Sequence, residues 1–293
     1  MRKIFYLAAL LVLALSACRA DGQQRFSGER QYSVEESETV RRTLEFSSTP
    51  GQKILEVDGV LGAIHVTGYD GSTAELTVRK TIRAYSQDGI RLAKDKVKLD
   101  ISDKADTVSI YVDQPGHQRS SRTSSRSDWS DPGYEVVFDF DFRVPRSTEI
   151  HLWTVTGDVR VEDVNGDFDV STVNGRIDMT KVSGSGRAHT INGVIDVKFA
   201  GNPQKDSHFG SLNGAIEVTF QRNLSADLKF KTFNAGVYTD FPVSALPTPV
   251  NTPQRRNGLF VYKNEYQGAR VGKGGPMLEF DGFNGDVRIL QAK

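Results

Sequence analysis

The chain has 293 residues, with 37 basic and 37 acidic side chains and a formal net charge of zero. That balance excludes the basic face a nucleic-acid partner requires, so no nucleic-acid partner is expected. A single cysteine excludes a disulfide framework, and stability must come from packing.

The chain opens with Met1-Arg2-Lys3 and an apolar run from Ile4 to Leu15. This is the layout of a secretory signal, and the run is shorter than the roughly 20 residues of a spanning helix. Leu15-Ser16-Ala17-Cys18 follows, holding the only cysteine. It resembles the lipobox of bacterial lipoproteins. The resemblance implies a signal peptide over 1–17 and acylation of Cys18, with palmitate among the lipids. Arg19, where Asp would favour inner-membrane retention, points to the outer membrane. The expected location is the cell envelope, lipid-anchored on the periplasmic face or surface of the outer membrane. The membrane is then a partner through that lipid.

Residues 18–45 are polar and read as a lipidated N-terminus and tether with a lead-in strand. Residues 46–293 read as a single all-β domain. Short alternating runs mark strands at Lys53–Val57, Gly62–Val66, Ala74–Val78, Val97–Ile101 and Val108–Val112. Only Ser86–Lys96 could be helical, and it is short and poorly patterned. Residues 114–133, rich in Ser and Arg, read as a flexible insertion. Strand pattern resumes over Tyr134–Val144.

From Thr156 five nine-residue units run consecutively: Thr156–Val164, Asn165–Val173, Asn174–Val182, Ser183–Ile191 and Asn192–Ala200. The second place is always glycine: Gly157, Gly166, Gly175, Gly184 and Gly193. These corner glycines, with the later Gly214 and Gly285, are expected to accept positive φ or a tight corner. The fourth place holds Val159, Phe168, Ile177, Gly186 and Ile195, and the sixth holds Val161, Val170, Met179, Ala188 and Val197. In a strand both places face the same way, so they predict an inward apolar ladder. The charged fifth place (Arg160, Asp169, Asp178, Arg187, Asp196) then faces water.

Asn-Gly between alternating runs is a hairpin signal, which permits an antiparallel sandwich or meander. An unchanged phase over five units instead favours a right-handed parallel β-helix or related β-solenoid. Asn174, Asn192, Asn213 and Asn234 are spaced so that two units per coil would stack them into a ladder. Val144-Pro145, Val155-Thr156-Gly157-Asp158-Val159, the Val-Asn-Gly units and Gly68-Tyr69-Asp70-Gly71 resemble the bacterial "putative adhesin" or toast-rack family of envelope proteins of unknown function. The resemblance covers most of residues 50–290. It implies a β-solenoid and no agreed catalytic residues. The 114–133 insertion and the Pro-rich 242–253 segment depart from it.

No catalytic constellation, cofactor or metal site is expected. A calcium-binding β-roll needs more glycines per unit than occur here, so Asp169, Asp178 and Asp196 read as surface acids. Gly268–Gly274 lacks P-loop spacing. Asp139 and Asp141 lie on one face of one strand, read as an edge strand. They are the best placed pair for a glycan-acting hydrolase or lyase. His65, His117, His151, His189 and His208 show no ligand spacing. Trp153 reads as packing in its strand. Arg119, Arg122, Arg126 and Trp129 could touch anionic glycan or headgroups. The expected function is a non-enzymatic envelope lipoprotein that binds or scaffolds, with an envelope protein or glycan as its ligand. Cys18→Ser should shift the protein from the membrane to the soluble fraction, or leave it unprocessed, with the domain still folded. Cell fractionation and immunoblotting check this.

Overall fold

The computed structural model describes residues 32–46, 51–117, 132–246, 254–256, 259–261 and 267–293. Leu15, Ser16, Ala17, Cys18, Arg119, Arg122, Arg126 and Trp129 lie outside the described residues. The architecture is all-β with one helix: two large mixed sheets, neither closed into a barrel.

The first strands are β1 (Val34–Glu45), β2 (Ile54–Asp58), β3 (Ile64–Tyr69) and β4 (Thr73–Ala84). Helix α1 (Gln87–Lys96) follows, then β5 (Lys98–Lys104), β6 (Thr107–Asp113) and β7 (Tyr134–Pro145). The repeats supply β8 (Glu149–Thr156), β9 (Val159–Glu162), β10 (Phe168–Asn174), β11 (Ile177–Val182), β12 (Gly186–Asn192) and β13 (Ile195–Phe199). They continue into β14 (Ser207–Asn213), β15 (Ile216–Phe220), β16 (Ala226–Asn234) and β17 (Val237–Thr239). The chain ends with β18 (Val243–Ala245), β19 (Gln254–Arg256), β20 (Leu259–Val261), β21 (Gln267–Val271), β22 (Met277–Asn284) and β23 (Val287–Gln291).

Ten strands form sheet A in the order β1-β4-β7-β3-β9-β11-β13-β15-β23-β17. Eleven form sheet B in the order β18-β21-β16-β22-β14-β12-β10-β8-β2-β6-β5. Through the repeats the chain alternates between sheets, so each strand pairs with the one two further on. All those pairings are parallel, as for β8–β10–β12–β14 and β9–β11–β13–β15. The Asn-Gly hairpin alternative therefore fails over the repeat. Antiparallel pairing is kept for the flanks: β1–β4–β7, β5–β6 and β16–β21–β18.

The inward ladder forms as the alternation requires. Val159, Val161, Val170, Ile177, Met179, Ala188, Ile195 and Val197 are fully buried. Burying each of the larger side chains contributes about 1.5–3 kcal/mol. Gly186 and Ala188 present little volume. Phe199, from the facing sheet, lies on that rung, 6.3 Å from Phe168 and 6.2 Å from Phe209.

The last rung in the sequence is not the last in space. Strands β22 and β23 lie between the β14/β15 rung and the β16/β17 rung. The five residues 221–225 therefore skip a rung that the C-terminus later fills.

The lead-in strand expected within the polar N-terminal stretch is β1, which pairs with β4 over all twelve residues. Its charges suit an edge strand with one exposed surface. The one stretch that could be helical, Ser86–Lys96, holds α1, capped by the Ser86 hydroxyl, which accepts from the Gly89 amide at 3.2 Å. Ile90 and Ala93 are its buried contacts. Replacing inward Met179 by Asp should destabilise the protein by at least about 3 kcal/mol through an unpaired buried carboxylate. Arg160→Asp, facing out, should change it by no more than about 0.5 kcal/mol. Denaturant titrations of the two variants compare them.

Candidate functional site

The corners between the sheets define one edge of the candidate site. Of the five repeat glycines, only Gly157 has positive φ. Close approach is what they share instead. A Cβ on Gly175 would lie 2.0 Å from the Gly157 carbonyl oxygen, and one on Gly193 would lie 1.8 Å from that of Gly175. The same carbonyls accept from buried hydroxyls: Thr172 Oγ1 to Gly157 O at 3.1 Å, and Thr190 Oγ1 to Gly175 O at 3.1 Å. Ser211 bonds Gly193 O at 2.9 Å in the same way. The working motif is thus Thr/Ser-x-Asn-Gly, whose hydroxyl the sequence reading missed.

Outside this row runs the asparagine ladder. Nδ2 of Asn192 donates to Oδ1 of Asn174, Asn213 to Asn192, and Asn284 to Asn213, each at 2.8 Å. Asn234 donates to Asn284 at 3.2 Å. The expected ladder is present, but Asn284 stands between Asn213 and Asn234.

Between the buried hydroxyl and the asparagine, each strand of sheet B points one side chain outward. The parallel register aligns these as Val155, Val173, Ile191, Leu212, Phe283 and Phe233. The column is half-buried at Val155, Val173 and Ile191 and exposed from Leu212 onward. Phe233 is 73% exposed and stacks on Phe283, ring centroids 5.0 Å apart and nearly parallel. Aligned apolar side chains of growing size, facing solvent along one edge, are the mark of a contact surface.

Two polar clusters share the outer face of sheet B. Near its N-terminal strands a shallow cavity of about 480 Å³ is lined by Glu56, Asp58, Tyr111, His117, His151 and Trp153. His117 lies between Tyr111 and Trp153, 5.2 and 5.3 Å from their ring centroids, and bonds Asp58 at 2.9 Å. Trp153 therefore faces outward as part of a polar-aromatic stack, which corrects its reading as strand packing. His151 bonds Glu149 at 2.7 Å.

Further along, His208 and Asp281 meet at 3.0 Å beside Glu279, whose carboxylate pairs with Lys229 at 2.9 Å. His189 lies across Gly210, which leaves room for its ring. The hydrogen bond from His208 holds Asp281 below the usual carboxylate range, with Lys231 and Lys229 adding to it. Burial pushes His189 below the usual imidazole value, helped by Arg187 and His208.

The acidic pair singled out for glycan cleavage is not on an edge. Strand β7 lies inside sheet A between β4 and β3. Asp139 pairs with Arg79 at 3.2 Å and accepts from the Ala63 amide, and Asp141 is 3.9 Å from His65. Asp178 and Asp196 share Arg176, at 3.7 and 2.9 Å. Asp169 lies exposed on the other sheet. In Gly268–Gly274 the first half is strand β21, paired with β16.

No protein-family model matches the chain, and no curated protein matches it. Among solved structures it is similar to a putative cell adhesion protein from Clostridium sporogenes, at 13% identity and TM-score 0.41, over 87% of this chain and 100% of that one. It is also similar to a putative adhesin from Bacteroides fragilis, at 14% identity and TM-score 0.37, over 87% and 97%. A third, a putative lipid binding protein from Parabacteroides distasonis, has 12% identity and TM-score 0.29, over 88% and 97%. Overlays this loose carry no functional information.

Asn192 sits at the middle of the amide ladder, so Asn192→Ala removes one bond to each neighbour. The expected loss is about 1–2 kcal/mol, because the groups are exposed and water partly replaces the bonds. Thermal melts of wild type and variant measure it.

Proposed function

We propose that this chain is a non-enzymatic, adhesin-like binding or scaffolding module of the cell envelope, lipid-anchored through Cys18. Its repeat is read as a right-handed parallel β-solenoid. The parallel alternation between sheets supports that architecture, and right-handed crossovers are the rule where parallel strands are joined. The observation that carries the functional reading is the outward apolar column ending in Leu212, Phe283 and Phe233. Burying such side chains is favourable, yet the register holds them in solvent beside a row of amides, where only a partner can cover them. An elongated envelope ligand, protein or glycan, would cover the column lengthwise and accept hydrogen bonds at its margin.

The competing reading is a glycan-acting hydrolase or lyase. The aromatic cavity at Trp153 is the observation in its favour. Against it, Asp58 is held by His117, and the other two carboxylates of the cavity, Glu56 on β2 and Asp169 on β10, have His151 of β8 between them rather than an open gap for a bond to be cut. Two carboxylates flanking the bond to be cut are the usual requirement.

The double variant Phe233→Ala/Phe283→Ala should weaken retention of the protein on isolated envelope fractions by at least about tenfold, as loss of aromatic anchors does at other interfaces. A pull-down on envelope protein and peptidoglycan fractions, with wild type in parallel, measures this. Unchanged retention would overturn the reading, as would turnover of peptidoglycan or surface polysaccharide that Asp58→Asn abolishes.

A further inference from the structure

The His208, Glu279 and Asp281 cluster has more acceptor capacity than the protein satisfies. One Asp281 oxygen bonds His208 Nε2 at 3.0 Å, while the other is shut off from solvent with no hydrogen-bond partner. A carboxylate oxygen left in that state is normally matched by a donor or a cation. The donor atoms of all three residues lie within 4.8 Å of one another.

Their chemistry narrows the cation. Imidazole with two carboxylates suits zinc and its neighbours among the divalent transition metals, whereas calcium and magnesium prefer oxygen alone. Zinc bound about 2.0–2.1 Å from nitrogen and oxygen ligands sets tetrahedral neighbours about 3.3 Å apart. The His208–Asp281 separation of 3.0 Å is close to that spacing. Glu279 would close the remaining gap by a side-chain rotation.

The backbone keeps the three in place. His208 pairs directly with Glu279 in the parallel register of β14 and β22, and Asp281 pairs with Gly210. Gly210 presents no side chain at the centre of the cluster, and His189 faces the same point from β12. All four groups therefore point outward from adjacent strands and are half-buried there. Lys229, bonded to Glu279, occupies part of that charge and would compete with an incoming ion.

We propose that His208, Glu279 and Asp281 form a binding site for one divalent transition-metal ion of the zinc class on the outer face of sheet B. The site is built only when β22 is seated between β14 and β16, because its ligands come from β14 and β22.

The test is titration of the purified full-length protein with Zn²⁺ by calorimetry. Wild type should bind one equivalent. His208→Gln and Asp281→Asn should each weaken binding at least about tenfold, the scale on which even supporting residues act at metal sites. His151→Gln, which removes a histidine–carboxylate pair elsewhere on the same face, should leave the affinity unchanged. Lys229→Gln should raise it. No binding by wild type up to millimolar Zn²⁺ would overturn the proposal, and so would equal affinity in wild type, His208→Gln and Asp281→Asn. Should the variants fail to fold, Co²⁺ added to wild type decides alone. Visible absorption bands of low-symmetry cobalt with paramagnetic shifts at His208 support the site, and their absence refutes it.

Discussion

The structure depends on how closely successive rungs pass at the Asn-Gly corner. Parallel strands lie about 4.8 Å apart, and at the corner that spacing leaves no room for a side chain above the neighbouring carbonyl. Glycine is therefore required by its neighbour at each of these corners, and by its own φ as well only at Gly157, Gly214 and Gly285. Once the side chain is gone, the carbonyl beneath would be buried without a partner, and Thr172, Thr190 and Ser211 supply the missing donor. Packing and polar satisfaction are solved by the same four residues at the corners after β10, β12 and β14.

The corner also sets where the surface features stand. With the glycine and the hydroxyl fixed, the residue between hydroxyl and asparagine must point outward from sheet B. Its identity is then free for use at the surface, and it runs from Val155 to Phe233. The same constraint places the amides of Asn174, Asn192, Asn213, Asn284 and Asn234 in one line at the margin. The apolar column and amide line are thus consequences of fold geometry, while the choice of Leu212, Phe283 and Phe233 for the exposed end is not.

Much of the fold was legible in the sequence because period-two alternation and a fixed nine-residue phase translate directly into inward columns. Val161, Val170, Met179 and Val197 needed nothing more. The threonines were not legible, since Thr in a strand reads as an ordinary outward polar residue until the carbonyl above it is known. The place of Asn284 was not legible either: the even spacing from Asn192 through Asn213 to Asn234 suggests consecutive rungs. The His208–Glu279–Asp281 cluster fails for the same reason, as its members become neighbours only through that displaced rung. Strand β1 was legible as a lead-in strand but not in its extent, because the pairing that orders it is made by backbone groups that every sequence carries.

The rung formed by β22 and β23 separates two rungs that precede it in the chain. A stack that grew in the order of synthesis would stop after β15, with β16 and β17 waiting for a partner not yet made. Closure of the module therefore falls to a stretch made after all of its neighbours, which must enter between existing strands and pair along both of its edges. Long-range pairing of this kind is slow and exposes strand edges in the meantime. A chain that lacks β22 and β23 leaves β14 and β15 on one side and β16 and β17 on the other without the partners that join them, and the open edges stay accessible to proteases.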